Sequence, residues 1–428
     1  MNTTTIITLL VLGWIIIGFM SGKWSMGTVA MTGLVLLEVT GVLTFEEAFA
    51  YVASNNVIMV ASTFILSGAL QKTSLVTRLR HWMLAHAKNG TAIVAMYLFA
   101  CFFMVQFVMP TALVAMLLPF MNALDKDSEV QPSNLLFPGV VVAHAAQSSL
   151  PLGNALTGFV TLNAILEANG APGDAGPFST ILVAFIPAVL TYLYYVFVGW
   201  KLYPKRTYDT SAIKEYKDKE TTIPKWQETL IYVVFIATMV LIVLKSALPK
   251  LIPVDLYMIA IIADIILCLT KCMSVPDVRN SMNMDTLFML IGVLPLGTAM
   301  QKTGAAEIVG NTIVKMLGGN PSYPVFLLAF MVVGGILTQF MSNSATNGVF
   351  RPLAIITAVT MGYNATGIAI ACGLMTTAAM LTPMGSPSLA IAYGAGQYNQ
   401  KELLKANLPA FVIHTAAVFV MTLILYPA

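Results

Sequence analysis

Apolar runs predict membrane-spanning helices near 5–21, 25–43, 55–70, 178–203, 227–247, 253–272, 282–301 and 405–427. Between them lie four apolar segments broken by small, polar or helix-breaking residues. Residues 91–125 break at Met109-Pro110-Thr111, and 134–168 at Leu150-Pro151-Leu152-Gly153-Asn154. Residues 323–361 break at Ser342-Asn343-Ser344-Ala345-Thr346-Asn347-Gly348, and 365–397 at Thr382-Pro383-Met384-Gly385-Ser386-Pro387-Ser388. Proline removes a backbone donor and glycine weakens a helix, so these are unwinding points. Polar groups freed in hydrocarbon must find partners. Such breaks are therefore tolerated where they line a cavity or a ligand site. The stretch 342–348 is read as the turn of a re-entrant helical hairpin.

The breaks come in matched pairs. Gln71-Lys72-Thr73 recurs as Gln301-Lys302-Thr303, 230 residues on. Gln106-Phe107-Val108-Met109-Pro110-Thr111-Ala112 aligns with Gln339-Phe340-Met341-Ser342-Asn343-Ser344-Ala345 at a spacing of 233, which also pairs Pro119 with Pro352. Pro151-Leu152-Gly153 aligns with Pro383-Met384-Gly385 at 232. The pattern predicts an all-α polytopic membrane protein of two repeats, 1–205 and 227–428, joined by a cytoplasmic linker, 206–226. Each repeat holds about five transmembrane helices and one re-entrant hairpin. Five is odd, so the second copy is inverted. Paired breaks of this kind mark transporter binding sites.

Composition agrees. The chain has 428 residues, 58% hydrophobic and 10% charged, where a soluble domain carries about 25% charged. No basic domain indicates nucleic acid as a partner. Seven basic residues between Lys201 and Lys225 place that linker in the cytoplasm. Only Lys245, Lys250, Lys302 and Lys315 then fall outside, apart from Arg351 within a hairpin. Trp24, Trp82, Trp200 and Trp226 fall near span ends, as interfacial anchors should. The first span, Ile6 to Met20, reads as retained rather than as a signal peptide. The four cysteines match no zinc or redox spacing. The segment 72–88 and its counterpart 302–317 read as amphipathic connectors or arms.

The candidate chemistry lies in the breaks. Asn343 offers a carbonyl acceptor and an amide donor, and Ser342, Ser344 and Thr346 add hydroxyls. A hard cation such as Na⁺ needs several oxygens; an anion needs donors and the positive ends of helices. In the other breaks, Thr111, Asn154, Ser386 and Pro387 are candidate substrate contacts, with Gln147, Ser148 and Ser149 near the first. Arg351 either meets a substrate carboxylate or sulfate, snorkels to the interface, or pairs with Glu307. His144 is a substrate contact, a proton carrier or a satisfied buried histidine, and His414 a packed one. Glu38 and Asp264 lie within spans, as scaffold contacts or as proton relays.

Ser342-Asn343-Ser344-Ala345-Thr346 followed by Pro352 resembles the Ser-Asn-Thr hairpin-tip motif of the divalent anion/sodium symporters of the ion-transporter superfamily. Thr382-Pro383-Met384-Gly385-Ser386-Pro387-Ser388 is similar to their Thr-Pro-x-Gly-Thr-Pro-x-Asn break. Met284-Asp285-Thr286-Leu287 through Gln301-Lys302-Thr303-Gly304 resembles their span leading into the second arm. The resemblance implies a dimeric elevator-type carrier of the cell membrane, enclosing one anion and its Na⁺ ions. It places Ser342, Asn343 and Ser344 on substrate, and Asn343 with backbone near Gly385 at one Na⁺; Thr338 and Gly153 are further candidate Na⁺ positions. The first half departs from it, with Met109-Pro110-Thr111 in place of a second Ser-Asn-Thr.

The expected activity is therefore Na⁺-coupled uptake of a small di- or multivalent anion, a dicarboxylate or related organic acid first and sulfate second. A Na⁺/H⁺ antiporter, another ion carrier on this fold, and proton-coupled or exchange transport are the alternatives. No Gly-x-Ser-x-Gly, His-Glu-x-x-His or nucleotide-binding loop is present, so the sequence is not read as an enzyme.

Overall fold

The structure is a computed structural model. It describes residues 2–21, 23–74, 78, 90–107, 109–110, 113–114, 129–206, 223–247 and 253–428. Thr111, most of the descending limb of the first hairpin, most of the first connector, Trp82 and most of the 206–226 linker lie outside the described residues.

Among those described, the fold is all helical. The first half comprises α1 (Thr3–Ser21), α2 (Met26–Val39), α3 (Phe45–Phe49), α4 (Asn55–Gln71), α5 (Gly90–Met104), α6 (Pro132–Ala146), α7 (Gly153–Ala168) and α8 (Ser179–Phe197). The second comprises α9 (Lys225–Ala247), α10 (Leu256–Leu269), α11 (Val275–Ser281), α12 (Met284–Lys302), α13 (Ala305–Met316), α14 (Tyr323–Leu337), α15 (Asn343–Met361), α16 (Ala365–Thr377), α17 (Pro387–Ala395) and α18 (Gln400–Leu425). All eight predicted spans appear as helices. The run 25–43 stops early as helix at Val39, because Thr40 and Gly41 turn the chain and Gly41 takes a φ of +73°.

Both long interruptions of the second half are present. α14 and α15 form a helical hairpin, in which α14, at 15 residues, is roughly 22 Å long. α16 and α17 form one broken helix. In the first half, α6 and α7 flank a break at 147–152, and α5 covers the ascending limb expected of the first hairpin, whose return lies mostly outside the described residues.

Polar caps start these helices. Thr44 and Ser274 each open a short helix with a reciprocal capping box, to Glu47 and Asp277 respectively. The two boxes are 230 residues apart. Each acid also receives a lysine from the other half. Lys72 Nζ lies 2.6 Å from Asp277 Oδ2, and Lys302 Nζ lies 2.7 Å from Glu47 Oε2. Those lysines, too, are 230 apart.

The helices pack across the halves in the same crossed manner. α2 lies along α12, and α10 along α4. At the first crossing Gly292 permits direct backbone contact, since a Cβ there would sit 2.4 Å from the Ala30 carbonyl carbon. α5 packs on α6, α15 and α14 on α16, and α8 on α18. One buried cluster runs through most of the molecule. A smaller one joins α4, α9 and α10 through Met59, Leu66, Ile231, Ile242 and Leu267. The outer faces of α8, α9 and α10 expose Leu182, Phe185, Val233, Ile236, Ile262 and Leu269, as lipid-facing surface requires. Trp24 and Trp226 are exposed, as anchors should be. Trp200 is instead fully buried, its indole N–H held by the Val196 carbonyl.

Candidate functional site

The hairpin turn is Thr338–Ser342, so most of the polar cluster 342–348 forms the first turns of α15 rather than the turn itself. Ser342 takes the N-cap position, its hydroxyl accepting from Ala345 N at 3.2 Å. A capping serine outcompetes the surrounding polar residues for the role of helix boundary. Thr346 is buried, and its hydroxyl donates back to Ser342 O at 3.1 Å. Ser344 is exposed on the same turn.

Gln339 staples this tip to the break after α16. Its amide donates to Gly335 O (2.7 Å) and Ala378 O (3.1 Å). Its Oε1 accepts from Met380 N (3.1 Å) and Leu381 N (2.8 Å), and its backbone carbonyl accepts from the Thr382 hydroxyl. Asn407 donates to Met380 O (2.8 Å) and Gln400 to Leu381 O (2.7 Å). These side chains thus satisfy much of the freed backbone at 378–381, which low-dielectric surroundings demand. Gln106 does half of this job in the first half, donating to Phe102 O (3.0 Å) and Ala146 O (2.7 Å). Both glutamines were legible as markers of the repeat. Their role at the breaks was not, although their recurrence was the signal.

Around the staple, three of the four residues placed at Na⁺ come together. Thr338 Oγ1 lies 2.7 Å from Asn343 Oδ1 and 2.6 Å from Thr376 O. Gly385 meets the Thr338 carbonyl so closely that a Cβ would lie 2.4 Å from that oxygen. Asn343 Nδ2 is 3.3 Å from Thr377 O. Gly153 opens α7 in the other break.

The two halves meet at His144, in the last turn of α6. Its Nε2 lies 3.0 Å from Ser388 Oγ and its Nδ1 lies 3.4 Å from Asn343 Nδ2. Accepting from the amide at Nδ1 leaves Nε2–H to donate to Ser388. Ser388 is a contact the sequence reading passed over. Ser386 caps α17 and pairs with Ser388 at 2.7 Å, and Pro387 fills the first helical position. Asn154 falls in the first turn of α7, and its side chain lies outside the described residues. The starts of α7, α15 and α17, the last two capped by serine hydroxyls, all emerge from these breaks.

Arg351 does not reach the interface. It is buried, its Nε donates to Ala369 O at 2.7 Å, and its guanidinium lies against Gly373. Among the described residues it has no carboxylate partner, Glu307 included. Asp264 is buried on α10 beside the Ser62 hydroxyl. His414 Nδ1 lies 3.2 Å from the Thr191 hydroxyl, packing α18 on α8.

Beside the tip, a cavity of about 250 Å³ is lined by α4, α7, α12 and α15. Ser344, Asn347, Thr161, Asn169, Thr63 and Thr286 supply its polar lining.

A lipid-exposed, all-helical body with interrupted helices meeting at a buried polar centre defines the class as a polytopic membrane carrier. The family model described as citrate transporter (CitMHS) matches residues 14–376, and the chain belongs to that family. It is 22% identical over 440 residues to the sodium-dependent dicarboxylate transporter SdcS of Staphylococcus saprophyticus, covering 96% of this chain and 84% of that protein. A transporter of Haemophilus influenzae is 24% identical over 402 residues, covering 89% of this chain and 82% of the relative. The match to the transporter YfbS of Escherichia coli, 25% identical, spans 56% of this chain and only 39% of that protein. Among solved structures, the YdaH transporter of Alcanivorax borkumensis has the same fold, with a TM-score of 0.64 at 17% identity over 91% of this chain and 88% of that one. MtrF of Neisseria gonorrhoeae gives a TM-score of 0.60 at 14% identity, covering 99% and 95%. The protein is a transporter, not an enzyme.

Proposed function

We propose that this protein is a secondary carrier that takes up a small di- or multivalent anion, a dicarboxylate or related organic acid before sulfate, coupled to Na⁺. The observation that carries the reading is Asn343. It joins the hairpin tip to the α16 break through Thr338 and Thr377, and to the other half through His144. Relatives described as sodium-dependent dicarboxylate and sodium/sulfate cotransporters support both cargo and ion.

The donor set fits Na⁺. Asn343 Oδ1, Thr338 Oγ1 and the Thr377 carbonyl are hard neutral oxygens, and Gly385 keeps the space beside the Thr338 carbonyl free of a side chain. A bound Na⁺ would offset the charge of the anion. Ser344 and the starts of α15 and α17 would hold the cargo, with Ser342, Ser386, Pro387, Thr111 and Asn154 near it. Arg351, buried and without a carboxylate partner among the described residues, would add positive potential from within α15.

The reading treats the chain as two inverted copies, 1–205 and 227–428, whose hairpins and broken helices move as one body in each protomer of a homodimer. The crossed lysine–acid pairs and the twin glutamine staples support the duplication.

Proteoliposome uptake of labelled succinate, citrate and sulfate, with and without a Na⁺ gradient, tests the function. Uptake of at least one anion is expected to need Na⁺, and Asn343→Ala to abolish that dependence. Uptake indifferent to Na⁺, or an Asn343→Ala protein responding to Na⁺ like the parent, would refute this placement of the ion.

A further inference from the structure

The glutamine staples set the two breaks in register. Gln106 donates to Phe102 O and Ala146 O, and Gln339 to Gly335 O and Ala378 O. Tip residues therefore correspond at a spacing of 233 and break residues at 232, the spacings of the sequence repeat. Each member of the oxygen cluster around Asn343 then has a defined counterpart in the first half.

In the second half that cluster is rich in oxygen and poor in hydrogen. The Thr338 hydroxyl lies 2.7 Å from Asn343 Oδ1 and 2.6 Å from Thr376 O. It carries one proton and faces two acceptors, so one close pair of oxygens has no hydrogen between them. A small hard cation suits such a place.

The first half lacks it. Thr338 corresponds to Val105, and both are fully buried. Asn343 corresponds to Pro110, and Thr376 to His144. Val105 and Pro110 bring no side-chain oxygen, so both side-chain members of the cluster are gone. His144 instead crosses to the second half, its Nε2 3.0 Å from Ser388 Oγ and its Nδ1 3.4 Å from Asn343 Nδ2. An asparagine amide can present either end to a neighbour. An acceptor at Nδ2 keeps Oδ1 turned towards Thr338.

We propose that only one of the two repeats has kept a cation cradle: each chain takes one Na⁺, at Asn343, and His144 is the positioning residue that aims the Asn343 carbonyl at it. This rests on the carrier reading above and adds the number of ions and the part played by the first half.

The test measures thermal stabilisation of the purified full-length protein as Na⁺ replaces K⁺ at constant ionic strength. The stabilising free energy, divided by RT, is expected to rise against ln[Na⁺] with a limiting slope of about 1. Two variants of His144 separate its contacts. His144→Asn keeps an acceptor near the place of Nδ1, whereas His144→Gln keeps a donor near the place of Nε2 and loses that acceptor. His144→Gln is expected to need roughly tenfold more Na⁺ for the same stabilisation, and His144→Asn to stay near the parent. Equal Na⁺ requirements in the two variants overturn the positioning role. A limiting slope near 2 on the parent overturns the single cradle, and needs no variant to fold. If Asn343→Ala then brings that slope to about 1, the carrier reading survives alone. If Asn343→Ala responds to Na⁺ like the parent, or the parent does not respond, both fall.

Discussion

At the residue scale the staple is informative because it can be removed singly. Truncating Gln339 leaves Met380 N, Leu381 N and Ala378 O facing protein with nothing to bond. An orphaned buried group costs about 1–3 kcal/mol, so Gln339→Leu should lose about 2–4 kcal/mol after partial relaxation. Gln106→Leu should lose less, since among the described residues Gln106 Oε1 accepts nothing. Thermal unfolding of the two variants side by side checks the order. Gly385→Ala makes a different demand. Its Cβ would lie 2.4 Å from both the Thr338 carbonyl oxygen and the Ala379 Cβ, forcing tip and break apart. A shift of this size at a binding centre is expected to lower uptake roughly tenfold or more with little loss of expression. Transport assayed at matched protein levels decides it.

At the scale of elements, the short helix α11 holds the start of the first connector. Hydrogen bonding from Lys72, then from Ser274, pulls the Asp277 carboxyl down to about 2. A carboxylate depressed on folding contributes stability above its unfolded value, about 3.9, and loses it as pH falls toward 2. The stability gap between the parent and Asp277→Asn should thus be constant at neutral pH and close between about pH 4 and 2. Unfolding midpoints across that range measure it. The elements were largely legible, because Pro, Gly and Asn inside apolar runs conflict with an uninterrupted helix. The boundary of α15 was misplaced by a few residues, since polarity marks a break but only capping geometry marks its edge. The burial of Arg351 against Ala369 and Gly373 was not legible, because eight residues of helix separate it from the motif and sequence gives no rotamer. Nor was the meeting of His144 with Ser388, which depends on how the two halves pack.

At the scale of the molecule, the crossing of α2 and α12 holds the outer frame together. With backbone 2.4 Å from the Cβ position of residue 292, Gly292→Leu has no room and must splay the two helices. Overpacking typically costs about 1–3 kcal/mol, and here the clash is with main chain rather than a movable side chain. Loss of folded protein on size-exclusion chromatography is the expected readout.

The lysine–acid pairs also bear on how the chain is assembled. Lys72 finds its acid 205 positions downstream, and Lys302 finds its own 255 upstream. Neither half contains a complete pair. Two polypeptides severed within the linker would each carry an unmatched cation and an unmatched anion in complementary places. Coexpressed, such fragments should recombine into working protein, whereas either one produced alone should not persist.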